Sequence, residues 1–327
     1  MSKSESTVLV TGAAGFIGSH LVDLLLSQGA QVIGVDNLSL GRPTNLATTQ
    51  GKNFELIEVD LSDHQAIAQK LTPRLATLEI GAVWHLAANS DIPAGIADPN
   101  VDFRNTFQTT FNVLAIIREL RVPELAFAST SAIYGQLPSP ISEDAGPLLP
   151  ISNYGAFKLA SEALISASTE SFLPRASIFR FPNVVGPRAT HGVIYDLLNK
   201  LKRRSDELEV LGDGSQQKPY LHVAELLDAM TFIQDHASEK LALYNIGPED
   251  EGTSVRQIAE EVILASGLPA KIRYTGGNRG WVGDVPKFSY SIDKLKTLGW
   301  RPQSSSAQAI RRAVHEIAEE TGFPCKQ

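Results

Sequence analysis

Cysteine is nearly absent. Cys325 stands alone near the C-terminus, so no internal disulfide can staple the chain, and a lone thiol there reads as dispensable rather than as a nucleophile. Positive charge is also short: 29 Lys and Arg face 36 Asp and Glu, a net charge of −7. Nucleic acid and anionic membrane surfaces need a basic footprint, so neither is expected as the main partner. No run approaches the roughly 18 apolar residues that cross a bilayer. The start, Met1 to Ser6, leads into a short apolar segment without the long h-region of a signal peptide. The seven histidines show no metal-ligand spacing, so no metal is expected. The expectation is a soluble, cytoplasmic protein. Apolar residues are plentiful, at 43% against 20% charged over 327 residues, enough core for about two domains.

Short β-branched runs at 7–11, 31–36, 54–60, 82–86, 124–129 and 176–181 alternate with helical patterns at 16–28, 63–78, 100–121 and 154–171. Strands separated by such helices pair in parallel through right-handed crossovers. Their near-continuous apolar character predicts helices on both faces of the sheet. After 181 glycine and proline turns multiply, with helices near 193–204, 223–237, 254–266 and 306–320. The pattern predicts an α/β protein: a Rossmann-type doubly wound parallel sheet over 1–181 and a smaller, interleaved C-terminal substrate domain over 182–327. Later segments near 220–246 return to the sheet.

Thr11-Gly12-Ala13-Ala14-Gly15-Phe16-Ile17-Gly18 lies between the first strand and the first helix. Gly12 permits a tight turn, Gly15 lets backbone approach a diphosphate, and Gly18 lets helix pack close to sheet. The amides of Phe16 and Ile17 then face the anion, assisted by the helix dipole. Asp36 ends the second strand, where a carboxylate accepts ribose hydroxyls and repels a 2′-phosphate; Asn37 follows it rather than arginine. The cofactor these residues predict is NAD. Asp60 and Leu61 are candidates for an adenine edge, although a helix N-cap at Ser62 or Asp63 explains part of that stretch. Leu86, Ala87 and Ala88 end the fourth strand with small residues past which a cofactor can run, and His85 reads as structural.

Tyr154 and Lys158 are spaced i and i+4 on one helix face. A free phenol has a pKa near 10, and a neighbouring ammonium lowers it toward a usable base, as does a cationic nicotinamide. Thr130, within the hydroxyl cluster Ser129-Thr130-Ser131, lies at the carboxyl end of the fifth strand, where open sheets bind ligands. Turn-forming serines capping the next helix explain part of that cluster.

With these motifs the chain resembles the extended short-chain dehydrogenase/reductase superfamily, in particular its nucleotide-sugar epimerases. The resemblance extends through Tyr134-Gly135, Phe181-Pro182-Asn183-Val184-Val185-Gly186-Pro187-Arg188, Gly212-Asp213-Gly214 and Gly283-Asp284-Val285-Pro286. It implies Tyr154 as base, Lys158 as its partner, Thr130 as the catalytic hydroxyl and Asn183 as a diphosphate ligand. It also implies a nucleotide-sugar substrate, tightly held NAD, and a homodimer through the helices near 100–121 and 154–171. The family's diphosphate-binding arginine is replaced by Lys218, which meets charge without a bidentate fork. Its usual Arg-x-Gly-Asp reads Trp281-Val282-Gly283-Asp284, with two alternatives: Arg279 as the substitute, or Trp281 as a contact to the sugar or base. Dehydratases of the superfamily resemble Thr-Asp-Glu at the hydroxyl and decarboxylases Thr-Ser-Glu. Here Ser131 and Ala132 follow Thr130, which favours epimerisation at C4 over a 4,6-dehydratase or a decarboxylase; Asp36 disfavours a reductase, and the presence of Tyr154, Lys158 and Thr130 disfavours a silent NAD-binding regulator.

Overall fold

The computed structural model describes residues 7–49, 51–277 and 288–323. Its contacts divide the chain into two units, one taking Met1–Gly135, Leu148–Arg180 and Met230–Tyr244, the other Gln136–Pro147, Phe181–Ala229 and Asn245–Gln327.

The first unit begins with β1 (Thr7–Thr11), α1 (Phe16–Ser27), β2 (Gln31–Asp36) and β3 (Phe54–Glu58). Then come α2 (His64–Ala66), a π-helical segment at Ile67–Leu71, α3 (Thr72–Leu75) and β4 (Ile80–His85). The helix expected at 100–121 is divided into α5 (Pro99–Asp102), a π-helical stretch at Phe103–Gln108 and α6 (Thr109–Leu120), with α4 (Ile92–Ala97) before it. The hydroxyls of Thr109 and Thr110 both donate to Thr106 O, at 3.1 and 2.9 Å. β5 (Glu124–Ala128), α7 (Asn153–Thr169) and β6 (Arg175–Arg180) complete this part.

The seven-stranded sheet runs β11-β6-β5-β4-β1-β2-β3, with β11 at Leu241–Asn245 returning from late in the chain. β1 pairs in parallel with β2 on one side and β4 on the other. The chain therefore switches direction between β1 and β4, and such a switch point opens a crevice at the carboxyl ends of those strands. Leu9, Val83, Leu125 and Phe127 from the sheet meet Val113, Ile117 and Ile165 from α6 and α7, all at most 1% exposed. Each such side chain contributes about 1.5–3 kcal/mol through burial, so the crevice is framed by a rigid wall.

The second unit holds β7 (Asn183–Val185), α8 (Val193–Arg203), β8 (Glu207–Val210), β9 (Gln217–Lys218) and β10 (Tyr220–His222). α9 (Val223–His236) carries the chain back to the first unit. β12 (Thr253–Ser254), α10 (Val255–Ser266), β13 (Lys271–Tyr274), α11 (Asp293–Leu298) and α12 (Ser306–Glu320) follow. Its strands form three pairs: β7 with β10, β9 with β12, and β8 with β13. Leu197, Leu201, Ile258, Val262, Ile310 and Val314 make its core. Ser254 and Ser305 start α10 and α12 with complete capping boxes, each closed by a glutamine three residues on. No described helix is long and apolar enough to cross a membrane.

Candidate active site

The glycine turn sits at the switch point. Gly12 has a φ of 69°, and a Cβ there would lie 2.9 Å from Ala87 N. A Cβ on Gly18 would fall 1.9 Å from Gly12 O, so helix and turn touch backbone to backbone. Most amides of the turn are used inside the fold: Gly12 N and Ala13 N donate to Val35 O, and Ala14 N to Asp36 Oδ2 at 2.9 Å. Helix α1 is different. Its N-cap is Gly15, no side chain caps it, and its first turn holds no acidic residue. The amides of Phe16 and Ile17 thus open the positive end of a 12-residue helix, a site suited to an anion.

Asp36 is 8% exposed and binds the turn directly. Its Oδ1 accepts from Leu38 N at 2.8 Å, and a Cβ on Gly41 would come within 2.8 Å of that oxygen. Burial raises its pKa, and the amides of Leu38, Ala14, Gly15 and Asn37 oppose the rise. A carboxylate has about four acceptor positions, so ribose hydroxyls can share it with these amides. Asn37 is turned to its own loop, where its Oδ1 accepts from both the amide and the hydroxyl of Ser39.

Asp60 Oδ1 accepts from Ser62 N at 2.8 Å, and Leu61 O accepts from Asn112 on α6 at 2.8 Å. Leu86 N and Ala87 N both donate to Thr11 Oγ1 at 3.2 Å. His85 explains that arrangement. Thr110 Oγ1 already donates to Thr106 O, so it accepts from His85 Nε2 at 3.0 Å. The bare Nδ1 then accepts from Thr11 Oγ1 at 2.7 Å. Burial and then the Lys158 charge push the His85 pKa down to about 3, so the ring is a neutral strut between β1, β4 and α6. Glycine spacing, open helix amides, a buried carboxylate and a small-residue strand end together fit the diphosphate and ribose of a dinucleotide.

Across the crevice wall, α7 begins under Ser152, whose hydroxyl accepts from Gly155 N at 3.1 Å. Thr130 caps a short 3-10 turn at Ser131–Tyr134, its Oγ1 accepting from Ala132 N at 3.2 Å, and hydrogen-bonds Tyr154. Lys158 is 2% exposed. Its Nζ donates to Ala128 O at 2.7 Å and lies 6.0 Å from the Tyr154 ring centre. Thr130, Tyr154 and Lys158 are therefore brought together. The expected lowering of the tyrosine pKa is not found in the chain alone. Loss of water pushes Tyr154 up to about 12, the Thr130 hydrogen bond opposes this, and the charge of Asp102 adds to the rise. Burial likewise brings Lys158 down to about 7, with Glu162 pulling the other way. Burial and the Asp102 charge thus outweigh the Thr130 hydrogen bond, and a cation brought close to the phenol would favour its ionised form.

Asn183 and Lys218 lie in the second unit, on β7 and β9; Asn183 is exposed and pairs in register with Tyr220. Arg279 lies outside the described residues, as do Trp281 and Asp284. Two features escaped the reading of the sequence. One is Asp102, fully buried, with Oδ1 accepting from Asn89 Nδ2 at 2.7 Å. The other is the ion pair of Glu162 with Arg180, whose Nη2 donates to Oε2 at 2.6 Å. Glu162 follows Lys158 by four residues, a signal available in the sequence; Asp102 carried none.

The model of the NAD dependent epimerase/dehydratase family matches residues 8–247. UDP-glucose 4-epimerase of Mycolicibacterium smegmatis is 31% identical over 319 residues, covering 94% of this chain and 96% of that protein. A solved UDP-galactose 4-epimerase superposes with a TM-score of 0.84 at 36% identity, over 97% of this chain and all of that one. The dTDP-glucose 4,6-dehydratase of Streptomyces venezuelae, solved with NAD, reaches 0.82 at 26% identity, over 96% and 97%. The fold is thus shared by an epimerase and a dehydratase, and the chain belongs to the NAD dependent epimerase/dehydratase family.

Proposed function

We propose that this protein epimerises a nucleoside-diphosphate sugar at C4, with NAD held at the glycine turn and UDP-glucose or UDP-galactose as the first substrates to test. NAD supplies the hydride acceptor and donor. Tyr154 takes the proton of the sugar 4-hydroxyl and later returns it, Thr130 hydrogen-bonds the reacting oxygen, and Lys158 supports the phenolate. Asn183 and Lys218 grip the diphosphate, leaving the sugar free to present its other face. Asp36 favours NAD over a 2′-phosphorylated cofactor by charge repulsion.

The observation that carries epimerisation is that neither of the two residues following Thr130 is a carboxylate. The two positions after it are Ser131 and Ala132, and a Cβ on Gly155 would sit 2.4 Å from Ala132 O, so backbone fills that turn. Asp102 does not substitute. It has no exposure, and a Cβ on Gly95 would lie 1.8 Å from its Oδ2, so the carboxyl is closed against α4. Elimination of water from a 4-keto sugar needs an acid and a base within about 3 Å of their targets.

Sugar deuterated at C4 decides the matter. The expected product is the 4-epimer with its label still at C4 and no net NADH. A 4-keto-6-deoxy product, or label moved to C6, overturns the reading.

The same reading includes a homodimer through the helices near 100–121 and 154–171. Phe103 and Phe111 are 43% and 56% exposed, and the rings of Phe103, Phe107 and Phe157 cluster within 6.2 Å of one another. Aromatics displayed on one face suit a partner surface. A monomer in sedimentation velocity at working concentration overturns this part.

A further inference from the structure

Tyr154, Lys158 and Glu162 stand four residues apart on α7 and form one stripe of the helix. That stripe meets three consecutive residues at the end of β5. Thr130 hydrogen-bonds Tyr154, Ala128 O accepts from Lys158 Nζ, and Ser129 Oγ donates to Glu162 Oε1. Arg180 on β6 grips the same carboxylate, its Nε donating to Oε1 at 3.1 Å and Oε2 at 3.2 Å. Its Nη1 continues to the Tyr134 hydroxyl at 3.0 Å. Glu162 and Arg180 are each 4% exposed.

Desolvation makes a buried ion pair a poor fastener, since apolar packing of equal volume serves as well or better. What the pair does provide is charge at a fixed place next to Lys158. The groups acting on that centre come from several elements. Tyr154 and Glu162 share α7, His85 reaches from β4, Tyr134 from the 3-10 turn and Arg180 from β6, while Asp102 on α5 acts on Tyr154. Among these, Glu162 is the acid that favours the charged form of Lys158.

Resting on the proposed roles of Tyr154 and Lys158, we infer that Glu162 is a positioning residue of the reaction centre. Its carboxylate keeps Lys158 an ammonium beside Tyr154, and through Ser129 it fixes the strand end that presents Thr130. Arg180 holds that carboxylate in place and moderates its charge.

The two residues of the pair then have opposite effects on Lys158, which a merely structural role does not produce. Glu162→Gln alone strands a buried cation, so the test uses Glu162→Gln/Arg180→Met and, separately, Arg180→Met. Both are checked for folding by circular dichroism. Lysines labelled with 13C at the ε carbon are titrated by NMR in the cofactor-free protein, with Lys158 assigned by its loss in Lys158→Met. The Lys158 midpoint is expected to fall by about one pH unit or more in the double variant and to rise in Arg180→Met. The alkaline limb of kcat/KM should move in the same directions. Midpoints unmoved, or moved in one direction by both variants, overturn the inference. If neither variant folds, Glu162→Asp, which keeps the charge but draws it back from Lys158, decides it: a Lys158 midpoint that fails to fall overturns the inference. Opposed shifts in a protein that epimerises no nucleotide sugar uphold the charge role and overturn the function reading instead.

Discussion

Helix α1 begins at Gly15 with no side chain over its first amides, whereas α7 begins under the hydroxyl of Ser152. Both helices flank the same sheet, and a cap at either is worth about 1 kcal/mol of stability. At α1 that gain is forgone, and the positive end of the helix stays open toward the switch point. At α7 the end is closed, and the polar groups that matter lie further along, at Tyr154, Lys158 and Glu162, each engaged with β5. The first region offers backbone donors to a ligand. The second spends side-chain charge on its own neighbours and keeps a phenol whose ionisation burial opposes.

The sharpest way to separate the two regions is Tyr154→Phe. It removes the proposed proton carrier and leaves the glycine turn alone, so turnover should fall by about 10²- to 10⁴-fold while NAD binding persists. Single-turnover kinetics beside a fluorescence titration of the cofactor measures both. If more than a tenth of the wild-type rate survived, the base would lie elsewhere; if NAD binding vanished as well, the two regions would not be separable.

The difference between the regions also decides what could be read in advance. Gly12, Gly15 and Gly18 act through the lack of a Cβ, and their spacing in eight consecutive residues encodes strand, turn and helix together. The Tyr154–Lys158 spacing is similarly local, so that pair was legible, and the parallel sheet followed from the alternation of strands and helices. The charge state of the site was not. It depends on Asp102, Glu162 and Arg180, which approach the centre from α5, α7 and β6. The π-helical stretch at Phe103–Gln108 was hidden because the apolar periodicity continues through it.

A smaller effect tests the comparison of the two helix ends directly. Gly15 has φ −73° and ψ 177°, a conformation open to alanine, and an added Cβ would meet only Gly12 O, at 3.1 Å. Gly15→Ala should therefore change stability by less than about 1 kcal/mol, close to an ordinary substitution. The methyl intrudes at the uncapped amides, so NAD affinity should drop about tenfold, or ~1.4 kcal/mol. Ser152→Ala makes the opposite demand. Losing the acceptor for Gly155 N should cost about 1 kcal/mol in urea unfolding of the cofactor-free protein, with NAD affinity nearly unchanged. The two variants should thus cross over, one weak in binding and sound in stability, the other the reverse. Should Gly15→Ala bind NAD as the wild type does, the open end of α1 is a tight turn and nothing more, and the diphosphate must be held by other residues.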